Sequence, residues 1–199
     1  VLIAGETAEM PGFYSKNEYD LSGTIVGAVD KKNLMSSRKT EKGDILIALP
    51  STGLHTNGYS LARKVLFEHF TVNDYIEELS STLGDSLLAI HKSYLNIIEP
   101  LLKNKSLVAL SHVTGGGLVE NTERVIADDL KMKVDWAAWE TPYIFNLIQD
   151  KGDVPIDDMR RSFNLGLGMV LVVKKQSLPE FETHLKNENQ KYFLIGELV

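Results

Sequence analysis

Residues 49–65 read L-P-S-T-G-L-H-T-N-G-Y-S-L-A-R-K-V. They run from the end of an apolar, strand-like segment through a turn of small polar residues into an amphipathic helix. Gly53 and Gly58 let the backbone approach a ligand closely, and the short polar residues beside them are typical of helix starts. Because free N–H groups at a helix N-terminus favour an anion, one interpretation is a phosphate site. The other interpretation is an ordinary, well-capped strand-to-helix turn.

Strands and helices alternate on both sides of this stretch, which predicts an α/β or α+β fold with a mixed β-sheet layered with helices. The apolar runs predict strands at residues 1–4, 21–29, 45–49, 107–110, 131–135, 166–173 and 192–198. Helical periodicity and end signals mark residues 59–70, 87–102, 118–127, 142–151 and 177–186. Pro100 is expected to bend or end the second of these helices. Residues 159–164 are predicted to form a polar loop.

The composition narrows the class of protein. The chain has 199 residues, of which 43% are hydrophobic, and its 21 basic and 27 acidic residues give a net charge of -6. This balance argues against a nucleic-acid partner, and the absence of cysteine excludes disulfides and thiolate metal sites. No apolar run approaches the roughly 20 residues of a membrane span and no signal peptide is visible, so a cytoplasmic protein is expected. An apolar strand at the first residue, without an initiator Met, is expected of a piece of a longer protein.

Four groups of polar residues are candidates for chemistry, and each has a second, purely structural interpretation. Glu6 and Glu9 are either a pair of carboxylates that binds Mg²⁺ or solvent-exposed charges of a loop. The five histidines show no metal-ligand spacing, so a zinc site is not expected. His55 and His112 lie beside glycine turns, where a proton donor, a phosphate contact and a structural hydrogen bond are all open.

The segment Gly115-Gly116-Gly117 resembles a phosphate-binding glycine turn, but it matches neither the P-loop consensus sequence nor the Rossmann one. Arg160 and Arg161 either bind a phosphate through paired hydrogen bonds or are exposed charges that keep a surface loop in contact with water.

Five longer motifs together resemble the C-terminal half of the aminoimidazole ribonucleotide synthetase family, also called phosphoribosylformylglycinamidine cyclo-ligase. They occur in the order of that family and span nearly the whole chain. The motifs are G-E-T-A-E-M-P-G at 5–12, Y-D-L-S-G at 19–23, G-D-I-L-I-A-L-P-S-T-G-L-H-T-N-G-Y-S-L-A-R-K at 43–64, H-V-T-G-G-G-L-V-E-N at 112–121 and R-S-F-N-L-G-L-G-M at 161–169.

The resemblance implies both a domain division and a reaction. Residues 1–30 would be the last strands of a truncated N-terminal ATP-binding domain, and residues 31–199 would be the C-terminal domain. ATP would phosphorylate the formyl amide oxygen of formylglycinamidine ribonucleotide, a nearby nitrogen would attack the activated carbon, and ADP and phosphate would be released as aminoimidazole ribonucleotide forms. The chain would then be part of an ATP- and Mg²⁺-dependent enzyme of de novo purine biosynthesis, homodimeric at full length, and inactive as this fragment.

The resemblance also implies roles for particular residues. His55 and Asn57 would be catalytic, Ser51, Arg161 and Asn164 would bind the substrate, and Glu6 and Glu9 would hold the metal. Cofactor binding would fall to the acidic loop and the glycine turns, that is to Glu6, Thr7, Gly53, Thr114, Gly115, Gly116 and Gly117.

The chain departs from the family pattern at three places. Ala4 stands where a glycine is usual, Ser162 replaces a Thr, and Ile90-His91 occupies a place where Pro-Thr is usual. Two alternatives stay open: another ATP-using member of the same superfamily, such as a formylglycinamidine ribonucleotide synthetase, and an inactive binding or assembly fragment.

Overall fold

Two units make up the chain in the computed structural model, which describes residues 1–7, 9–35 and 40–199. The first is Val1–Leu34, and its described residues form no helix or strand apart from a 3₁₀ turn at Lys31–Asn33. The strands predicted at 1–4 and 21–29 are therefore wrong. A strand is stabilised by a hydrogen-bonded ladder with a neighbour, and no described segment of this unit pairs with either stretch.

The second unit, Met35–Val199, carries the sheet and the helices. Within the described residues, none of its helices has the length and apolarity needed to cross a bilayer. Its strands are β1 (Ile45–Pro50), β2 (Tyr75–Ile76), β3 (Ser81–Thr82), β4 (Leu107–His112), β5 (Met132–Val134), β6 (Leu167–Val173) and β7 (Phe193–Leu198). Its helices are α1 (Tyr59–Leu66), α2 (Leu83–Leu87), α3 (Leu95–Ile98), α4 (Gly117–Glu123), α5 (Tyr143–Gly152), α6 (Ile156–Ser162) and α7 (Leu178–Asn187).

β1 is the central strand of a five-stranded sheet with the order β4-β6-β1-β7-β5. Neighbouring strands pair antiparallel, and Ala48 of β1 lies opposite Val170 of β6. Successive side chains of β1 point to opposite faces, so Leu46 packs into one core cluster and Ile47 into another. β2 and β3 form a separate two-stranded hairpin. The predicted layering of a sheet with helices is confirmed.

Helices bury both faces of the sheet and build a third cluster beside it. Leu118 of α4 packs in the cluster with Leu46, while Phe181 of α7 packs in the cluster with Ile47. The third cluster joins α1, α5 and α6 through fully buried side chains such as Phe145 and Phe163. This helical cluster lies next to the 49–65 turn, so the turn is anchored on a packed base.

Two local predictions are wrong. The helix predicted over 87–102 is interrupted: α2 ends at Leu87, α3 begins at Leu95, and Pro100 lies in a 3₁₀ segment, Glu99–Lys103. The loop predicted at 159–164 is mostly α6. Pro155 precedes this helix, acidic residues fill its first turn and basic residues its last, which matches the helix dipole.

Candidate functional site

The segments that follow β1 and β4 and the segment that precedes β6 meet at one end of the five-stranded sheet. β6 pairs antiparallel with both other strands, with Pro50 opposite Leu167 and His112 opposite Met169. In an antiparallel pair, the C-terminal end of one strand lies beside the N-terminal end of the other. The strand register therefore gathers most of the predicted site residues at this end.

Asn164 joins the loop before β6 to the turn after β1. Its side-chain carbonyl Oδ1 accepts hydrogen bonds from the Ser51 hydroxyl at 3.0 Å and from the Gly166 N–H at 2.8 Å. Its Nδ2 donates to the Gly53 carbonyl at 2.9 Å. The side chain is buried, so these bonds are shielded from water. Three of the predicted site residues, Ser51, Gly53 and Asn164, thus form one hydrogen-bonded unit.

Asn57 joins the turn after β1 to the glycine turn after β4. Its Oδ1 accepts the N–H of Gly115 at 3.0 Å, and its Nδ2 donates to the carbonyl of His55 at 2.9 Å. Residues 57 and 115 are 58 positions apart in the chain. Both halves of the amide group are therefore used to hold the two turns in a fixed relation.

Gly116 and Gly117 pack against the C-terminal end of α6. The N–H of Gly116 donates to the Arg161 carbonyl at 3.0 Å, and the N–H of Gly117 donates to the Thr114 carbonyl at 3.1 Å. Gly117 has a φ of +71°, and a Cβ built on it would lie 1.7 Å from the Arg160 carbonyl oxygen. These glycines thus permit close approach of the two loops. Any ligand contact by this turn has to come from groups other than these two N–H donors.

The start of α1 keeps N–H donors available. Gly58 is its N-cap, with a φ of 78° and no side-chain cap. Across the described parts of the chain, the N–H groups of Tyr59, Ser60 and Leu61 donate no hydrogen bond. The helix start therefore has the donors and the partial positive charge that the phosphate interpretation of this segment requires.

His55 lies in the same turn with a left-handed φ of 52°, and its side chain is 1% exposed. Its Nε2 accepts the N–H of Thr52 at 3.0 Å and that of Lys92 at 3.3 Å, so the proton of the neutral ring belongs on Nδ1. Burial, and then the neighbouring His91, His112 and Lys92, lower the pKa of His55 to about 4. The ring is therefore neutral near pH 7 and orients the turn. Its predicted catalytic role stays a prediction.

Tyr94 stabilises the C-terminal end of β1, since its hydroxyl donates a hydrogen bond to the Pro50 carbonyl at 2.9 Å. Burial raises the pKa of this phenol far above its ordinary value, so the hydroxyl remains a donor. We expect Tyr94→Phe to lower the free energy of unfolding by about 1 kcal/mol, as for one hydrogen bond. Urea unfolding measures this change, and Tyr75→Phe, at a 67% exposed residue, is the matched control. Equal values for the two variants would contradict the role of the Tyr94 hydroxyl.

Predicted site residues line two surface pockets whose lining residues do not overlap. Ser51 and Gly53 line one of about 440 Å³, which also has the carboxylates of Glu78 and Asp85 in its wall. Arg161 lines the other, of about 410 Å³, together with Gly116, Trp136 and Arg160. The two predicted substrate contacts Ser51 and Arg161 therefore face different pockets.

The two arginines differ in what they contact. The Arg160 guanidinium lies 4.1 Å from the centre of the Trp136 ring and 3.5 Å from an Asp157 carboxylate oxygen. Arg161 is exposed at the surface. Arg160 is thus held by its neighbours, and Arg161 is the better placed of the two to meet an anion from solvent.

Glu6, Thr7 and Glu9 belong to the first unit, and all three are exposed. The other predicted site residues belong to the second unit. There, sequence reasoning missed Asn121, which is buried in α4 and stabilises the glycine turn. Its Nδ2 donates to the carbonyls of Gly115 at 3.2 Å and Gly117 at 2.7 Å, and its Oδ1 accepts the Thr114 hydroxyl at 3.0 Å. The available sequence signal was an Asn four residues after a glycine run.

Comparison with known proteins gives matches along the whole chain. The family described as "AIR synthase related protein, C-terminal domain" matches residues 41–199. Proteins named phosphoribosylformylglycinamidine cyclo-ligase are 44% identical in Thermoanaerobacter sp. (strain X514), over 100% of this chain and 59% of that protein, and 41% identical in Desulfitobacterium hafniense (strain DSM 10664 / DCB-2), over 99% and 58%. The one from Lactobacillus helveticus (strain DPC 4571) is 43% identical, over 99% of this chain and 57% of its own length.

A crystal structure of a Thermus thermophilus protein superimposes on 81% of this chain and 48% of its own with a TM-score of 0.49 and 15% identity. The chain spans less than two thirds of the length of the curated relatives named above.

Proposed function

Since the chain belongs to the family of AIR synthase related proteins, C-terminal domain, we propose that it forms part of an ATP-dependent cyclo-ligase that converts formylglycinamidine ribonucleotide to aminoimidazole ribonucleotide. The observation that carries this proposal is the 44% identity to a named cyclo-ligase over the full length of the chain. No relative named above carries the name of a formylglycinamidine ribonucleotide synthetase.

The predicted resemblance to the aminoimidazole ribonucleotide synthetase family is confirmed by the family match. We propose that residues 1–30 belong to the N-terminal ATP-binding domain of the longer protein and residues 31–199 to its C-terminal domain. The boundary between the two structural units, after Leu34, supports a division in this region.

In the proposed reaction the chain's own residues bind and orient the reactants. Phosphorylation of the formyl amide oxygen by the substrate ATP makes that oxygen a leaving group, and closure needs the attacking nitrogen to be held beside the same carbon. Asn57 and Asn164 fix the relative positions of three loops, which suits such a positional task. The start of α1 would bind a phosphate through its N–H groups, and Arg161 would bind one from the second pocket.

The chemistry of the donor groups fits the proposed ligands. Exposed carboxylates such as Glu6 and Glu9 suit a hard cation, and Mg²⁺ bound there would neutralise phosphate charge. Gly53 and the 114–117 turn are the proposed cofactor contacts of the second unit, and Thr7 is a proposed cofactor contact of the first unit. A cytoplasmic homodimer with small-molecule substrates completes the proposal, and the net charge of -6 supports the expectation that nucleic acid is not a partner.

The test is formation of aminoimidazole ribonucleotide from Mg-ATP and formylglycinamidine ribonucleotide. We expect turnover with the complete gene product and none with this chain by itself, because the proposed ATP-binding domain is mostly outside it. Absence of turnover by a folded, complete gene product would overturn the proposed reaction. Turnover by this chain by itself would overturn the proposal that the reaction needs the N-terminal ATP-binding domain.

Asn57→Ala in the complete protein is expected to reduce turnover about 100-fold while the fold remains intact. Loss of the amide breaks the hydrogen bond between the turn after β1 and the Gly115 N–H. Because Gly115 is exposed, its N–H can bond to water instead, so the loss of folding stability is small. The two turns are no longer held in register, however, and the misplaced site residues lower the rate. Steady-state rates and circular dichroism measure the two effects. Asn96→Ala, at an exposed position of α3, is the matched control.

His55→Ala is expected to reduce turnover in the same direction, with the exposed His69→Ala as its control. Wild-type rates for both site variants would remove this turn from the proposed site.

A further inference from the structure

Three histidines from separate segments come together beside the proposed site. His55 lies in the turn after β1, His91 lies between α2 and α3, and His112 ends β4. One ring nitrogen from each lies within 4.8 Å of the corresponding atoms of the other two. Sequence spacing gave no sign of this cluster, because three different segments supply its members.

The distance between two of the three ring nitrogens is close to that of a metal centre. The Nε2 atoms of His91 and His112 are 3.1 Å apart. Two imidazole nitrogens bound to one tetrahedral zinc ion at 2.0–2.1 Å would be about 3.3 Å apart. The ring of His55 stacks on that of His91, with centroids 4.0 Å apart and an interplanar angle of 16°. Little movement is therefore needed to direct the first two nitrogens at a single ion.

His55 offers the right tautomer for a third ligand. Its proton belongs on Nδ1, which has no hydrogen-bond partner among the described residues, and this leaves the lone pair on Nε2. An ion at Nε2 competes with the N–H groups of Thr52 and Lys92, and the stacked ring of the half-buried His91 has to turn to share that ion. His55 is therefore the weakest of the three ligands.

The surroundings permit a cation to bind although one positive charge is near. The Lys92 ammonium donates to Gln190 at 2.9 Å and is thereby tied to another residue. Each of the three histidines offers one imidazole nitrogen to the cluster. Neutral imidazole is a ligand suited to zinc and to its neighbours in the first transition row.

We propose that His55, His91 and His112 form a binding site for a divalent transition-metal ion, Zn²⁺ being the type case, with His91 and His112 as the principal ligands. This site differs in ligand chemistry from the proposed Mg²⁺ carboxylates, which belong to the first unit. It does not depend on the proposed reaction. It connects the end of β4 to the 88–94 segment and to the turn that carries Asn57, so an occupied site would hold these three segments together.

The test is titration of this chain, prepared without metal and without a histidine tag, with Zn²⁺ by calorimetry and with Co²⁺ by visible absorption. We expect one ion per chain and the intense d–d bands of a nitrogen-rich, low-coordinate Co²⁺ site. His91→Thr and His112→Asn should each weaken binding by at least about tenfold, and His55→Asn should weaken it by a smaller factor. His69→Asn, at an exposed position that is not part of the cluster, should bind like the wild type.

Thermal unfolding provides a second measurement that does not require the variants to match the wild type in stability. Zn²⁺ should raise the melting temperature of the wild type and of His69→Asn by the same amount, and it should raise that of His91→Thr by less. Equal affinity of His91→Thr and the wild type would overturn the site. A loss in His69→Asn as large as that in His91→Thr would show general binding to surface imidazoles instead, and an unchanged affinity in His55→Asn would overturn the three-ligand assignment.

Discussion

Gly117→Ala is expected to lower the free energy of unfolding by at least about 4 kcal/mol, a large part of the stability of an ordinary domain. Two costs add at this position. The φ of +71° is one that an L side chain adopts with strain, and the new Cβ would lie 1.7 Å from the Arg160 carbonyl oxygen. A backbone atom cannot move aside as a flexible side chain can, so the contact between the glycine turn and α6 has to open.

Gly43→Ala is the control that separates the cost of backbone strain from the cost of the steric clash with the Arg160 carbonyl. Gly43 has a φ of +88°, and a Cβ built there meets nothing within 4 Å. Gly43→Ala should therefore cost only the conformational strain, about 1–2 kcal/mol. Urea unfolding midpoints at a common slope measure both variants. If the two variants lose the same stability, Gly117 does not approach the Arg160 carbonyl as closely as the structure places it.

Asn164→Ala is expected to cost about 3 kcal/mol. The substitution removes the Nδ2 donor and the Oδ1 acceptor, which accepts two hydrogen bonds, from a buried position. It leaves the Gly53 carbonyl and the Gly166 N–H without these partners. A buried polar group left unpaired costs about 1–3 kcal/mol, which is more than the net gain from an ordinary hydrogen bond. The loss should therefore exceed that of any variant that removes a single one of these bonds.

Ser51→Ala is the matched comparison for Asn164→Ala, because it removes one hydrogen bond of the same unit while Asn164 keeps the other two. We expect a loss of about 1 kcal/mol for this variant. Chemical unfolding of both variants measures the ratio. A cost for Asn164→Ala no greater than that for Ser51→Ala would contradict the view that Asn164 organises the meeting of the two loops.

The candidate site was predictable as a set of motifs and only partly as a geometry. Ser51, Gly53, His55, Asn57 and the 114–117 turn were named from the sequence, and the strand register gathers them at one end of the sheet. What the glycines do there was not predictable. The segment Gly115-Gly116-Gly117 resembles a phosphate-binding glycine turn in sequence, whereas the N–H groups of Gly116 and Gly117 are used inside the protein. Hydrogen bonds such as that between Ser51 and Asn164, 113 residues apart, leave no local pattern.

By itself, the sequence determined the family, the α+β class and the main strands of the second unit, because side-chain periodicity and long motifs are local properties of the chain. The buried runs of β1 and β6 are of this kind. The tertiary structure decided where helices are interrupted, as between Leu87 and Leu95, and where residues from separate segments meet. Antiparallel pairing of β1 and β4 with β6 brings the segments of His55 and His112 to one end of the sheet, and the segment between α2 and α3 adds His91. Spacing along the sequence carries no record of this proximity.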